Sequence, residues 1–165
     1  MARVIEIVIA ASASEEAANV DRVKALPGRG LEGDRYAKGN GTFSHQPQRP
    51  DGELTLIQQE HIDSFVAATG LNFTARDARR NIVTTGIDLN ALVGREFKIG
   101  DVLIRGLRLC EPCDYLAKQT SRAVLWGLVH KGGLRAQILS GGEIRVGDPI
   151  LEVERENPRE IVPAL

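Results

Sequence analysis

"GREFKIGDVLI", residues 94–104, and "GGEIRVGDPIL", residues 141–151, read as two versions of one unit. Each runs Glu, apolar, basic, β-branched, Gly-Asp, then a further apolar stretch. Alternation with period two marks a strand with one face in the core. Gly-Asp between two such runs marks a turn, glycine being free to take the conformation other residues avoid. The recurrence fits either an internal duplication or two similar hairpins of one barrel.

Working outward, strands are expected over 4–10, 20–26, 53–57 and 134–139, with another in "NIVTTG" (81–86). "QQEHIDSFVAATG" (58–70) places Ile62, Phe65, Val66 and Thr69 at i, i+3, i+4 and i+7 before Gly70, the pattern of an amphipathic helix with its stop. Thr74 followed by Asp77 resembles an N-cap with its reciprocal acid. "SRAVLWGLVH" (121–130) reads as helical, whereas the glycines of 27–41 and the prolines of 43–52 read as one long loop. A loop of that length is expected to be functional or disordered. The tally is about seven to nine short strands and two or three helices. It predicts a mainly β fold with a few helices, its mostly antiparallel sheet closing or nearly closing into a barrel. No internal boundary divides residues 1–165, so one domain is expected, with 154–165 as a polar, proline-punctuated tail.

Composition narrows the function. The net charge is −1, from 21 basic and 22 acidic residues, no basic block occurs, and aromatics make up 4%. That balance argues against a nucleic-acid partner. No run approaches the roughly 18 apolar residues of a membrane span. Glu6 interrupts the first apolar run, so it reads as a strand and not as a secretion signal, and a cytoplasmic, reducing location is expected.

Both cysteines of the chain lie in "RLCEPCDYLAKQT", residues 108–120. The C-x-x-C spacing leaves several readings open: a redox pair, part of a zinc site, a packed corner, or one working thiolate. The βαβ pattern of a thioredoxin-like pair is missing. Zinc needs two further ligands, and His45, His61 and His130 show no paired spacing. Pro112 lets Cys113 open a new helical segment, while Cys110 ends a strand with its side chain toward the core. Cys113 is therefore the candidate reactive or metal-binding thiolate, with Cys110 as neighbour and candidate resolving partner. Glu111 is a candidate acid or base, but a carboxylate facing Cys113 opposes thiolate formation unless it points away.

The order of motifs carries a resemblance. "RRNIVTTGIDLNALVGREFKIGDVLI" (79–104), "LCEPC" (109–113) and "LVHKGGLRAQILSGGEIRVGDPI" (128–150) resemble the MOSC domain, named from the C-terminus of molybdenum cofactor sulfurases. The "GLEGDRY" loop (30–36) and "GTFS" (41–44) are similar to its stand-alone bacterial members, and the resemblance spans about residues 20–153. It implies a strand-rich, barrel-like fold and matches the family's cysteine to Cys113. There the thiolate either binds the molybdenum of a pterin cofactor, as in relatives that reduce N-hydroxylated compounds, or carries a sulfur atom. The sulfurases' pyridoxal-phosphate domain has no room in 165 residues, so that cofactor is not expected within this chain. The resemblance then implies either a partner protein, a cysteine desulfurase or a redox protein, or a domain acting alone on a small-molecule substrate.

A pterin cofactor ends in phosphate, so an anion pocket is expected near Cys113. Arg80 and Asn81 are candidates for it, with Arg79 a solvated charge. His130, Lys131 and Arg135 flank two glycines whose backbone can approach a ligand, the alternative being a plain glycine turn. Asp34 and Arg35 sit in the glycine-rich loop, where the alternative is an Asp turn. Thr85 and Asp88 read as turn and cap residues, His61 as helix surface, and His45 as part of a lid. The rival function is a non-catalytic small-molecule binding or interaction module on the same barrel.

Overall fold

The computed structural model of the chain describes residues 1–13, 15–39 and 49–154, so His45 and the tail from 155 onward lie outside the described residues. The chain opens with β1 (Arg3–Ile9), β2 (Ala18–Val20), β3 (Arg22–Leu26), β4 (Gly30–Leu31) and the single-turn α1 (Arg35–Lys38). The long expected loop thus holds a strand and a helical turn, because Asp34 caps α1 and Gly39 ends it at φ 75. β5 (Leu54–Gln58), α2 (Gln59–Thr69), α3 (Ala75–Ala78) and β6 (Ile82–Thr85) follow. The Thr74–Asp77 capping box forms, and Gly70 stops α2 in the left-handed conformation, both as the sequence predicts. β7 (Glu96–Ile99), β8 (Val102–Leu109), α4 (Asp114–Gln119), α5 (Val124–Gly127), β9 (Leu134–Ile138), β10 (Gly142–Arg145) and β11 (Ile150–Glu152) complete the described chain. The helix expected over 121–130 is only one turn, α5; there Gly127 lies flat on Phe65, whose ring a Cβ would meet at 2.6 Å.

Eight strands form one curled, mostly antiparallel sheet in the order β11-β7-β8-β9-β5-β6-β1-β2, and β10-β3-β4 form a second. β5 and β6 run parallel because α2 and α3 carry the chain across between them. The curl brings the two sides together: Val4 N donates to Asp148 O, Ile150 N donates to Ala2 O, and Arg3 bridges Pro149. The result is a half-barrel, as the strand count predicts.

The two similar sequence units diverge. The first is a hairpin, β7–β8, with Ile99 opposite Val102 across Gly100-Asp101. The second is not: β10 pairs with β3, whereas β11 pairs with β7 in the other sheet. Pro149 after Gly-Asp denies the returning strand an N–H, so the chain crosses between sheets there. Asp148 of the second unit lies over Gly100 of the first, where a Cβ would stand 2.8 Å from its carboxylate.

Two apolar layers share the large sheet. The barrel interior holds Val4, Leu54, Leu56, Ile82, Phe97, Ile104, Leu134 and Ile138. The outer face carries Val8, Ile57 and Val83 beneath Ile62 and Phe65 of α2, Leu116 of α4 and Val124 of α5. β5 is buried on both faces, so its expected alternation between core and solvent is absent. The cysteine segment lies on this outer face.

Candidate functional site

β8 ends at Leu109, and Cys110 N then donates to Gly133 O at 2.7 Å, so the chain leaves the sheet against the Gly132-Gly133 turn. Both glycines are required by close approach. A Cβ on Gly132 would stand 2.2 Å from Cys110 O, and one on Gly133 would stand 1.9 Å from Leu56 O. The backbone these glycines admit is the protein's own, at Cys110 and Leu56. From Cys110 to Cys113 the chain runs with no turn or bend, and Cys113, extended at φ −134 and ψ 168, precedes α4. Cys110 is buried at 2% exposure, and Cys113 is partly exposed. Both are free thiols.

The segment borders a cavity of about 330 Å³, walled also by α1, α4, β5, β8, β9 and the residues before β6. Six arginines line it: Arg35, Arg49, Arg79, Arg80, Arg108 and Arg135. The lining carboxylates are Asp51 and Glu111, and Glu111 is turned toward His130, accepting from its backbone N at 3.2 Å and pairing with Nδ1 at 3.3 Å. Among the described residues no three His, Cys, Asp or Glu side chains gather as metal ligands.

The expected site residues separate into three groups. Arg35, Arg80 and Arg135 reach the cavity with Cys113. Arg80 braces the cysteine segment, donating from Nε to Gly132 O at 2.9 Å, with further bonds to Ala78 O and Cys110 O. Arg35 packs over the Tyr36 ring at 4.7 Å and donates to Asp34 Oδ1 and Arg79 O, each at 3.3 Å. Asp34, wholly buried behind it, also receives Ala10 N at 3.0 Å and Tyr36 N, so it positions Arg35 and α1. Asn81 is not on the wall: it is fully buried, receiving Thr55 N at 3.1 Å and donating to Val8 O at 3.2 Å. His130 and Lys131 stand outside the cavity lining, exposed at the far side of the glycine turn. Turn and cap roles hold for Thr85, bonded to Glu60, and for Asp88, which receives Asn90 N.

Arg79, expected to be a solvated charge, is half-buried and donates to the carbonyls of Ser12, Ala13 and Glu15, tying it to the β1–β2 connection. Burial lowers its pKa first and the neighbouring Arg35 second. Its backbone is left-handed at φ 53, uncommon for a residue with a side chain, and these bonds hold it there. Tyr115 donates to Ala13 O of the same connection. Arg49, Arg108 and Tyr115 also escaped the sequence reading. The available signal was arginine recurring beside the motifs at 79–80, 108 and 135.

The sequence profile of the MOSC domain matches residues 40–151. No curated protein matches the chain. Among solved structures, the YuaD protein from Bacillus subtilis superposes with a TM-score of 0.75 at 16% identity, covering 94% of this chain and 98% of that one. YiiM from Geobacillus stearothermophilus gives 0.72 at 18% identity over 94% and 76%. YiiM from Escherichia coli gives 0.66 at 21% identity over 93% and 71%. These likenesses are of fold.

Proposed function

This chain belongs to the MOSC domain family, and from that premise we propose that it binds a molybdenum-pterin cofactor with Cys113 as the ligand to the metal. The observation that supports this reading is one cavity in which Cys113 shares the wall with the inner arginines Arg35, Arg79 and Arg80. The donor set suits such a group: thiolate sulfur is a soft ligand for the metal, and guanidinium forks suit the phosphate. When bound, the cofactor supplies oxygen-atom or electron transfer.

The residues of the chain have separable tasks. Cys113 presents its sulfur from the mouth of α4, held there by the Cys110–Gly133 backbone bond and by Arg80. Arg35 and Arg79 form the most enclosed part of the cationic wall, and Asp34 orients Arg35. Tyr36 and Tyr115 line the cavity beside them.

A second reading, sulfur carriage on Cys113, draws on that thiol's partial exposure, which a donor desulfurase needs. One experiment separates the two. Protein from a host that makes the cofactor is examined by native and intact mass spectrometry, and metal-free protein is then incubated with a cysteine desulfurase and cysteine. A pterin-sized adduct supports cofactor binding, whereas one added sulfur on Cys113 without any adduct supports carriage. Neither mass change supports the rival binding module.

A further inference from the structure

Arg108 and Arg135 stand directly opposite each other on neighbouring antiparallel strands, β8 and β9. Like charges in that position destabilise a sheet. The pairing also depends on an irregularity, because the register shifts between Gly106 and Arg108. Gly106 faces Ala136, so a regular ladder would set Leu107 against Arg135 and Arg108 against Leu134, a residue of the barrel interior. The one-residue bulge turns Arg108 onto the cavity face instead, a known use of bulges beside functional sites.

Among the described residues the pair has two polar partners, both on Asp51. Arg108 Nε meets Asp51 Oδ2 at 2.9 Å, and Arg135 donates to the Asp51 carbonyl at 3.3 Å. Arg49, two residues before Asp51, lines the same side. The Asp51 carboxylate thus pairs with Arg108, while Arg135 reaches only the backbone carbonyl of that residue. The inner arginines differ, since Arg79 and Arg80 each donate to three backbone carbonyls. Position differs too: the Arg108 side chain is 58% exposed and that of Arg35 only 8%. The inner wall suits a resident group, and the outer trio suits one that comes and goes.

We propose that Arg108 and Arg135, with Arg49 beside them, form an oxyanion subsite at the open side of the cavity, and that the substrate of the Cys113 site is a small molecule bearing a carboxylate or phosphate. The substrate assignment rests on the cofactor reading of Cys113; the anion site stands on the arginines alone. Its function offsets the cross-strand repulsion that the fold retains.

The test uses the full chain, metal-free, in low salt, with inorganic phosphate and benzoate as separate calorimetric probes. At least one probe binds the wild type, and the double variant Arg108→Gln/Arg135→Gln binds it about ten- to hundredfold more weakly. The preferred probe tells phosphate from carboxylate. Without probe, the double variant unfolds at the same or a higher temperature, the reverse of what two structural arginines would give. Its molybdenum content, when made in a cofactor-producing host, equals that of the wild type. Arg108→Lys keeps the charge, loses the fork, and gives an intermediate affinity should the double variant fail to fold. Equal affinity in wild type and variants, or no binding of either probe, overturns the subsite. Loss of molybdenum from the double variant overturns its assignment to substrate. A wild type with no molybdenum but with arginine-dependent anion binding removes the cofactor reading and leaves the subsite.

Discussion

Asn81 lies where no water reaches, and its amide joins three strands or their extensions. Its Oδ1 accepts from Thr55 N and Thr55 Oγ1, each at 3.1 Å, and its Nδ2 donates to Val8 O. Asn81→Ala strands the Thr55 N–H and the Val8 carbonyl, which costs about 2–4 kcal/mol in denaturant unfolding. A neutral result would mean that these groups find other partners. Glu53 gives a pH signature. Burial raises its pKa above 4.5, while hydrogen bonds from Gly28 and Ile138 lower it only in part. A carboxyl whose folded pKa is raised stabilises the fold below its unfolded pKa, and that contribution is lost as pH rises through the raised value. Glu53→Gln keeps an acceptor for Gly28 N but never ionises. Its stability relative to the wild type therefore climbs as the pH rises past 4.5 and through the raised value. A difference independent of pH contradicts this. At this scale the sequence identified Cys113, Arg35, Arg80 and Arg135 for the cavity and missed Arg79. Residue type tells what a side chain can do, but which side of the backbone it leaves is set at 79 by a left-handed φ.

The cysteine segment is held as an element, between the glycine turn and Arg80. Gly132→Ala drives a methyl into Cys110 O, 2.2 Å away, with no positive φ to relieve. It costs about 1–3 kcal/mol or more, and it changes the alkylation rate of Cys113 by displacing the segment. Gly147→Ala serves as the comparison. Its φ is +94 with nothing within 4 Å, so strain alone costs about 1–3 kcal/mol, and Cys113 reactivity stays unchanged. Equal alkylation rates for Gly132→Ala and the wild type would contradict the clamp. Elements whose signals are local were legible: α2 with its glycine stop, the Thr74–Asp77 box and the β7–β8 hairpin. The β10–β11 unit was misread because alternation records which face is buried and not which strand is the neighbour. The bulge in β8 has no sequence mark at all, and it alone sets Arg108 beside Arg135.

Across the whole molecule, the barrel supplies rigidity and its outer face carries the cavity. The interior is apolar and sealed by backbone bonds between the β1 end and residues 147–150, so the cavity-lining residues gather where strand ends meet α1, α4 and the glycine turn. Mainly β architecture was legible because each strand carries its own pattern. The cavity was not, because its arginines come from five places in the chain that only the curl of the sheet unites. Net charge conceals it as well: −1 overall coexists with a strongly cationic hollow. Among the described residues no helix is long and apolar enough to cross a membrane. The central claim is that Cys113 presents its sulfur to a metal inside this hollow. The most direct measurement is the molybdenum-to-protein ratio of the wild type and Cys113→Ala, purified side by side from a host that makes the cofactor. Molybdenum bound by the wild type and lost from an equally well-folded Cys113→Ala is the predicted result. Equal molybdenum in both, or none in the wild type, would contradict it.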